Sequence, residues 1–475
     1  MGIRKTKIVC TLGPATGTDK VLEQMFRAGM NVGRLNFSHG SHDTHRAMIE
    51  RFRRVRDRLG IPAAVMLDTK GPEIRLKSFK NGRITLACGD RFVLTSREVE
   101  GNEHEVTITF APLASQMKPG MTILADDGKV AFRVTDTTDT DVICEVTSGG
   151  ALSDHKSINI PNVHIDMPYI SEVDRSDLIF GTEMDVDFVA ASFVRCREDV
   201  EEVRALLRAH GGERIRIISK IENMEGVRNF DGILEASDGI MVARGDMGVE
   251  VPFEQLPGIQ KMMIGKCCGS GKPAITATQM LESMIHSSMP TRAEISDVAN
   301  AVFDGTSAVM LSGESAMGDH PALVISTMAK IAEQAEQDAS RIHAPGTKVR
   351  FQSSADDITN AVSDAAVILA KDIGAGAVIA VTYGGTTARR VSKFRPDQLI
   401  VGVTPDKKTY HQLSLSWGVC PVLGQPQTDT DSLFAHAVHC ARAAGLVKSG
   451  ERVVITAGVP LQESGNTNIL KVQVV

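Results

Sequence analysis

The chain has 475 residues, 42% of them hydrophobic, a formal net charge of −6 and eight cysteines. The length exceeds one ordinary core and predicts two or three domains, while no apolar run is long enough to span a bilayer. An acidic balance without a basic block excludes a general affinity for nucleic acid. Scattered cysteines without a C-x-x-C pair, and an opening MGIRKTKIVC without an apolar signal segment, predict free thiols in a reducing compartment, the cytoplasm.

In chain order, KIVCTLGPA, MNVGRLNFSHG and AAVMLDTKGPEIR read as three strands, each running into polar or glycine-rich residues. DKVLEQMFRAG, between the first two, carries apolar residues at helical spacing and closes on glycine. From 76 to 165 the pattern changes to strand alternation (GRITLACGDRFVLTS, HEVTITF, DVICEVTS) with turn signals DDG and SGG, which predicts a small inserted all-β domain. The barrel rhythm then resumes with VDFVAASFV, IRIISKIEN, DGIMVARGDMGVE, PAITATQML and TSAVMLSGESA. Eight strands alternating with helices predict an α/β fold of the (β/α)8 TIM barrel type, split into residues 1–75 and 166–344. An insertion after the third strand lies over the face where barrel active sites form, so it reads as a lid. Past the helix MAKIAEQAEQDAS and the polar link RIHAPGTKVRFQSS, a helix and the strands AVIAVT, QLIVGVT, ERVVITAG and NILKVQVV predict a third, α/β domain over 345–475.

Lys220 and Glu222 stand two apart in the isoleucine-rich run IRIISKIEN, hence on one face of a buried strand. Such groups form an internal ion pair or hold a charged ligand. Other strands also end in polar groups: Arg34 and Asn36, Asp68 and Lys70, Arg244 and Asp246, Thr278, Ser312 and Glu314. In a barrel all of these meet at one mouth. Two carboxylates, Glu222 and Asp246, suit Mg2+, which keeps waters and shares its shell with substrate oxygens. Lys220 and Arg34 would meet the charge of a moving phosphoryl group, so the chemistry implied is phosphoryl transfer. Two rival readings are another Mg2+-dependent barrel enzyme of oxoacids, such as a lyase, and a metabolite sensor with a decayed site.

With NFSHG, LDTKGPEIR, ISKIEN, ARGDMGVE, TATQMLESM, PTRAEISDVANAV and MLSGESA on the page, the chain resembles the pyruvate kinase family from about Lys5 to its C-terminus. The resemblance implies a glycolytic reaction in which phosphoenolpyruvate and ADP give pyruvate and ATP through a metal-bound enolate that is then protonated. It assigns Lys220 to the transferring phosphoryl group. Glu222 and Asp246 match the Mg2+ (or Mn2+) ligands. Arg34, Gly245, Asp246 and Thr278 match substrate positions, Thr278 aiding protonation. Asn36, Ser38, Asp68 and Thr69 match a K+ site, and Asn36, Arg75 and Lys156 nucleotide positions. A glutamate at Glu73 is the pattern of K+-dependent members. The resemblance also implies a homotetramer and activation by a phosphorylated metabolite. Gly33 and Ser315 depart from the family pattern, where larger residues are frequent.

In the third domain VTYGGTTARRVSKFRP places glycines and hydroxyls between a strand and a helix start, which is either an anion site or a capped turn. The matching loop of similar family members binds an activator phosphate, here at Thr382, Gly384, Gly385, Thr386 and Thr387. His39, His42 and His45 are expected to begin a solvated helix rather than to hold metal, and Asp126 and Asp127 to form a hairpin turn.

Overall fold

The computed structural model describes residues 3–342, 357–461 and 465–475. The expected domain boundary at 344/345 lies outside the described residues. Eight parallel strands close a barrel: Lys7–Thr11, Val32–Asn36, Ala64–Asp68, Phe188–Ala191, Arg216–Ile221, Gly239–Ala243, Ala274–Ala277 and Ala308–Leu311, each beside its sequence neighbours, the last pairing with the first. Six of them are buried along their whole length. That is why they read as unbroken apolar runs, since one face fills the barrel and the other meets the helices. Val9, Met66, Phe188, Ile218 and Met241 fill the interior, and Leu415 of the C-terminal domain joins them.

Gly33 has a packing reason. A Cβ there would lie 2.5 Å from the ring of Phe52. Phe52, fully buried on the helix His42–Leu59, uses the space on the second strand that a side chain would take. Ser315 donates its hydroxyl to Thr11 O at 2.8 Å, tying the turn after the last strand to the first.

The insertion forms a seven-stranded sheet and a two-stranded pair around its own core, with Phe92 stacked on Phe132. Its sheet includes Ile74–Arg75, which pairs with Ser157–Asn159, so the chain entering the insertion and the chain leaving it run side by side. Asp126, Asp127 and Gly128 take φ of 51°, 56° and 82° in the hairpin turn between Thr122–Ala125 and Val130–Thr137. Aspartate and glycine tolerate that left-handed backbone. The insertion is latched to the barrel by Asn159 Nδ2 donating to Glu250 Oε1 (2.9 Å) and by His164 Nδ1 against Glu225 (2.9 Å).

The C-terminal sheet runs Val419–Leu423, Leu399–Thr404, Ala377–Val381, Arg452–Ala457 and an antiparallel edge Ile469–Val474. The first of these is absent from the sequence reading because VCPVL contains a proline, which argues against a strand. It forms the other edge, where a missing N–H is tolerated. No helix among the described residues is long and apolar enough to cross a membrane. All eight cysteines are free thiols.

Asp187, at the start of the fourth strand, is fully buried and accepts a bond from Val65 N–H at 2.8 Å. Burial pushes its carboxyl up to about 6, against the pull of that N–H and of Lys408. A raised acid favours folding below its unfolded pKa near 4, and this contribution is lost as pH rises through about 6. Asp187→Asn is therefore expected to flatten the melting temperature between about pH 4 and 6, removing a pH-dependent contribution of roughly 3 kcal/mol. Thermal melts across that window check it; an unchanged slope would mean that Asp187 does not titrate there.

Candidate active site

The fifth strand carries Lys220 to the barrel mouth with 8% of its surface exposed, and Glu222 follows at 1%. Lys220 Nζ lies 3.0 Å from Asp68 Oδ1, 3.0 Å from Glu222 Oε1 and 2.7 Å from Ser192 Oγ. Asp68, at the end of the third strand, accepts from Arg34 Nε at 2.5 Å, and Arg34 Nη1 donates to Thr11 Oγ1 at 2.9 Å. Thr11, Arg34, Asp68, Lys220 and Glu222 thus form one line of contacts drawn from four strands.

The charges in that line are not equally satisfied. Burial raises the Asp68 carboxyl, yet Arg34 and Lys220 together outweigh it and hold the group below its ordinary value. Burial acts to lower the pKa of Lys220, but Asp68 and Glu222 outweigh it and keep the ammonium charged. Burial drives Glu222 well above the usual carboxylate range; Lys220 restrains it and Asp246 pushes it further up. Two cations, Arg34 and Lys220, therefore face three carboxylates, Asp68, Glu222 and Asp246, and the deficit of positive charge falls on the Glu222–Asp246 side. Asp246, in the first turn of the helix Arg244–Glu250, has no hydrogen bond or ion pair among the described residues and faces the cavity above. Two under-compensated carboxylates fit a divalent cation that completes its shell with water and substrate. No group of three or more His, Cys, Asp or Glu among the described residues forms a protein-only metal cage.

On the opposite side Thr278 adopts φ 67°, an unfavourable conformation for a β-branched residue. Arg244 holds it there, donating from Nη2 to Thr278 O (2.6 Å) and from Nε to Ala277 O (3.2 Å) while pairing with Asp297 at 2.7 Å. The Thr278 hydroxyl accepts from Gly245 N–H at 2.8 Å and donates to Ala277 O at 2.6 Å. Arg244 and Glu314, which looked on sequence like members of the reactive cluster, are committed to the scaffold. Glu314 accepts from the backbone N–H groups of Leu281 (3.1 Å) and Ser312 (2.7 Å).

A cavity of about 300 Å³ opens between the mouth and the insertion, lined by Glu73, Asn159, Phe193, Asp246 and Glu250 among others. Arg75 is held by Glu73 (2.8 Å) and by His155 O (2.9 Å), and Lys156 by Asp126 (2.8 Å). Arg75 pairs in register with Ser157, next to Lys156, so the two basic residues lie near each other where the chain enters and leaves the insertion. Asn36 is the register partner of Asp68, and its Oδ1 accepts from Ser38 N–H at 3.2 Å. Thr69 follows directly, with its carbonyl accepting from Ser192 Oγ at 2.6 Å.

Two contributors were missed. Ser192 bridges Lys220 to the Thr69 carbonyl, and Phe193, at φ 53°, turns its N–H onto Glu222 Oε2 at 2.6 Å. The one available signal was a serine inside the apolar run VAASFV. His42 pairs with Asp177 (2.6 Å) and His45 stacks on Phe37, so the histidines do not converge on a metal.

In the C-terminal domain, Gly385 (φ 84°) caps the helix Thr386–Lys393, and its N–H donates to Thr382 Oγ1 at 3.0 Å. The Thr387 hydroxyl is buried against that of Thr467 at 2.9 Å. Gly384 has open space around it, and Thr386 is partly exposed.

Comparison with known families decides the class. Residues 3–325 match the model of the pyruvate kinase barrel domain, and residues 360–473 that of the pyruvate kinase alpha/beta domain. The chain belongs to the pyruvate kinase family. It is 47% identical over 474 residues to a pyruvate kinase of Clostridium acetobutylicum, with 100% of both chains covered. It is 44% identical to one of Clostridium perfringens, covering 99% of this chain and 100% of the relative. A third, from Geobacillus stearothermophilus, is 46% identical over 99% of this chain and 80% of its own length. The chain is therefore a phosphotransferase with the pyruvate kinase barrel, a family whose members depend on metal.

Proposed function

We propose that the chain transfers the phosphoryl group of phosphoenolpyruvate to ADP, giving pyruvate and ATP. The observation that carries this reading is the buried ammonium of Lys220 between Asp68 and Glu222, with Asp246, whose charge acts on Glu222, lining the cavity between barrel and insertion. Arg34 and Lys220 present two fixed cations to the three oxygens of the moving group, where positioning and electrostatics supply most of the catalysis. Glu222 and Asp246 would hold Mg2+ or Mn2+, which supplies charge neutralisation to the substrate oxygens. Gly245 and Thr278 flank the enolate left by transfer, and the Thr278 hydroxyl aids the protonation that turns it into pyruvate. Arg75, at the entry to the insertion, Lys156, within it (76–165), and Asn36 meet the nucleotide; the insertion acts as a lid that excludes water. Free thiols fit the cytoplasm, and the family supports a homotetramer. Equal amounts of ATP and pyruvate from phosphoenolpyruvate and ADP test the reading. Pyruvate formed without ATP would overturn it.

Asn36, Ser38, Asp68 and Thr69 would hold K+, with Glu73 adding negative charge nearby. Replacing K+ by tetramethylammonium is expected to lower turnover on the order of a hundredfold, the scale of losing one charge-stabilising group. Glu73→Lys should shrink that difference. It also frees Arg75, so the KM for ADP should rise. Full activity of the natural protein without K+ would count against the assignment.

The loop Thr382–Thr387 is proposed to take the phosphate of an activator, since the Gly385 cap leaves N–H groups of a helix start beside an open glycine. Thr386→Glu is expected to abolish activation by sugar phosphates or AMP while sparing maximal turnover at saturating phosphoenolpyruvate. Activation at unchanged concentration in that variant would place the effector elsewhere.

A further inference from the structure

The joint by which the insertion returns to the barrel lies at Met167–Tyr169. Val163, Ile165 and Met167 pack on the core of the insertion, whereas Tyr169 and Ile170 belong to the core of the barrel, with Pro168 between them. One side chain spans this joint. Arg195 donates from Nη1 to Met167 O (3.0 Å) and Ile165 O (3.4 Å), and its guanidinium lies 5.6 Å from the ring centroid of Tyr169. Its other edge is fixed to the barrel, where Nε and Nη2 donate to the two oxygens of the buried Asp199 at 3.1 and 3.0 Å.

Arg195 stands on the turn after the fourth strand, which also serves the site. There Ser192 Oγ meets Lys220 Nζ at 2.7 Å, and Phe193 N–H donates to Glu222 Oε2 at 2.6 Å. Tyr169 adds a second link, its hydroxyl donating to Ser192 O at 2.8 Å. The side chain that grips the exit chain and the N–H that aims Glu222 are thus two residues apart. A swing of the insertion about this joint must break the two carbonyl bonds or pull on the turn. We propose that Arg195 is a positioning residue that couples the insertion to the metal site: with both carbonyls held, the turn keeps the Phe193 N–H on Glu222 and fixes that carboxylate for a divalent cation. The proposal rests on the reading of Glu222 as a metal ligand. Such coupling is reciprocal, so a cation at Glu222 holds the exit chain more tightly, and a loosened exit chain weakens the cation.

The probe is Mn2+ alone, added to the full-length protein. Electron paramagnetic resonance of free Mn2+ gives the affinity, and amide hydrogen exchange read by mass spectrometry gives the protection of residues 160–167. Mn2+ is expected to slow exchange in that segment of the natural protein. Arg195→Lys keeps a positive charge beside Asp199 but lacks the planar fork that holds Asp199 and both carbonyls. It should weaken Mn2+ about tenfold or more, the scale of losing a group that orients a metal ligand, and abolish the slowing at 160–167 while exchange in the barrel strands stays unchanged. Tyr169→Phe, which keeps its ring in the core, should weaken Mn2+ by about fivefold, as for one neutral hydrogen bond, and reduce the slowing. It carries the test should Arg195→Lys not fold. Mn2+ affinity unchanged in the folded variants, or slowing that persists there in full, would overturn this proposal alone. Mn2+ binding that survives Glu222→Gln would overturn the metal reading and the proposal with it.

Discussion

Lys220→Met is expected to lower turnover by roughly a thousandfold or more, the scale of removing a principal electrostatic stabiliser of a phosphoryl group. The substitution keeps most of the apolar stem. It removes the cation shared by Asp68 and Glu222 and leaves Asp68 paired with Arg34. Glu222, already driven up by burial, then depends on the bound divalent cation for its counter-charge. Affinity for phosphoenolpyruvate should change far less than turnover, because the loss falls on the group in transit. Steady-state kinetics with saturating Mg2+ and K+ measure both; turnover within about tenfold of the natural protein would remove Lys220 from its role.

Asp68→Ala should be damaging in a different way. Arg34 and Lys220 both lean on this one buried carboxylate, so its removal leaves Arg34 without a counter-charge and Lys220 with Glu222 alone. Breaking a buried pair by deleting one partner costs about 3–5 kcal/mol, and here the deleted partner serves two. Urea unfolding is expected to show a loss of that size. Turnover should fall by about a hundredfold or more as both cations lose their aim. A stable variant with near-normal turnover would mean that the cations are positioned from elsewhere.

The strands of the barrel were legible because burial on two faces demands unbroken apolar runs, and the insertion because its strands alternate instead. Val419–Leu423 was not, since Pro421 makes an edge strand look like a break. At the mouth, the limit is more instructive. Lys220 with Glu222 and Arg244 with Glu314 are the same kind of strand-end charge in sequence, and only their partners separate them. Arg244 and Glu314 face backbone groups of neighbouring loops, whereas Lys220 and Glu222 face each other at 3.0 Å. Phe193 was beyond reach for a related reason: its contribution is a peptide N–H turned by a left-handed backbone, which no side-chain pattern announces.

The central claim is that the metal and the phosphoryl group meet at the end of the fifth strand. It is tested most directly by an anomalous difference map from crystals soaked with Mn2+ and phosphoenolpyruvate. The account predicts one strong peak between the carboxylates of Glu222 and Asp246, with the phosphoryl oxygens within hydrogen-bond distance of Lys220 Nζ. A peak elsewhere with both carboxylates unligated, or a substrate bound away from Lys220, would contradict it.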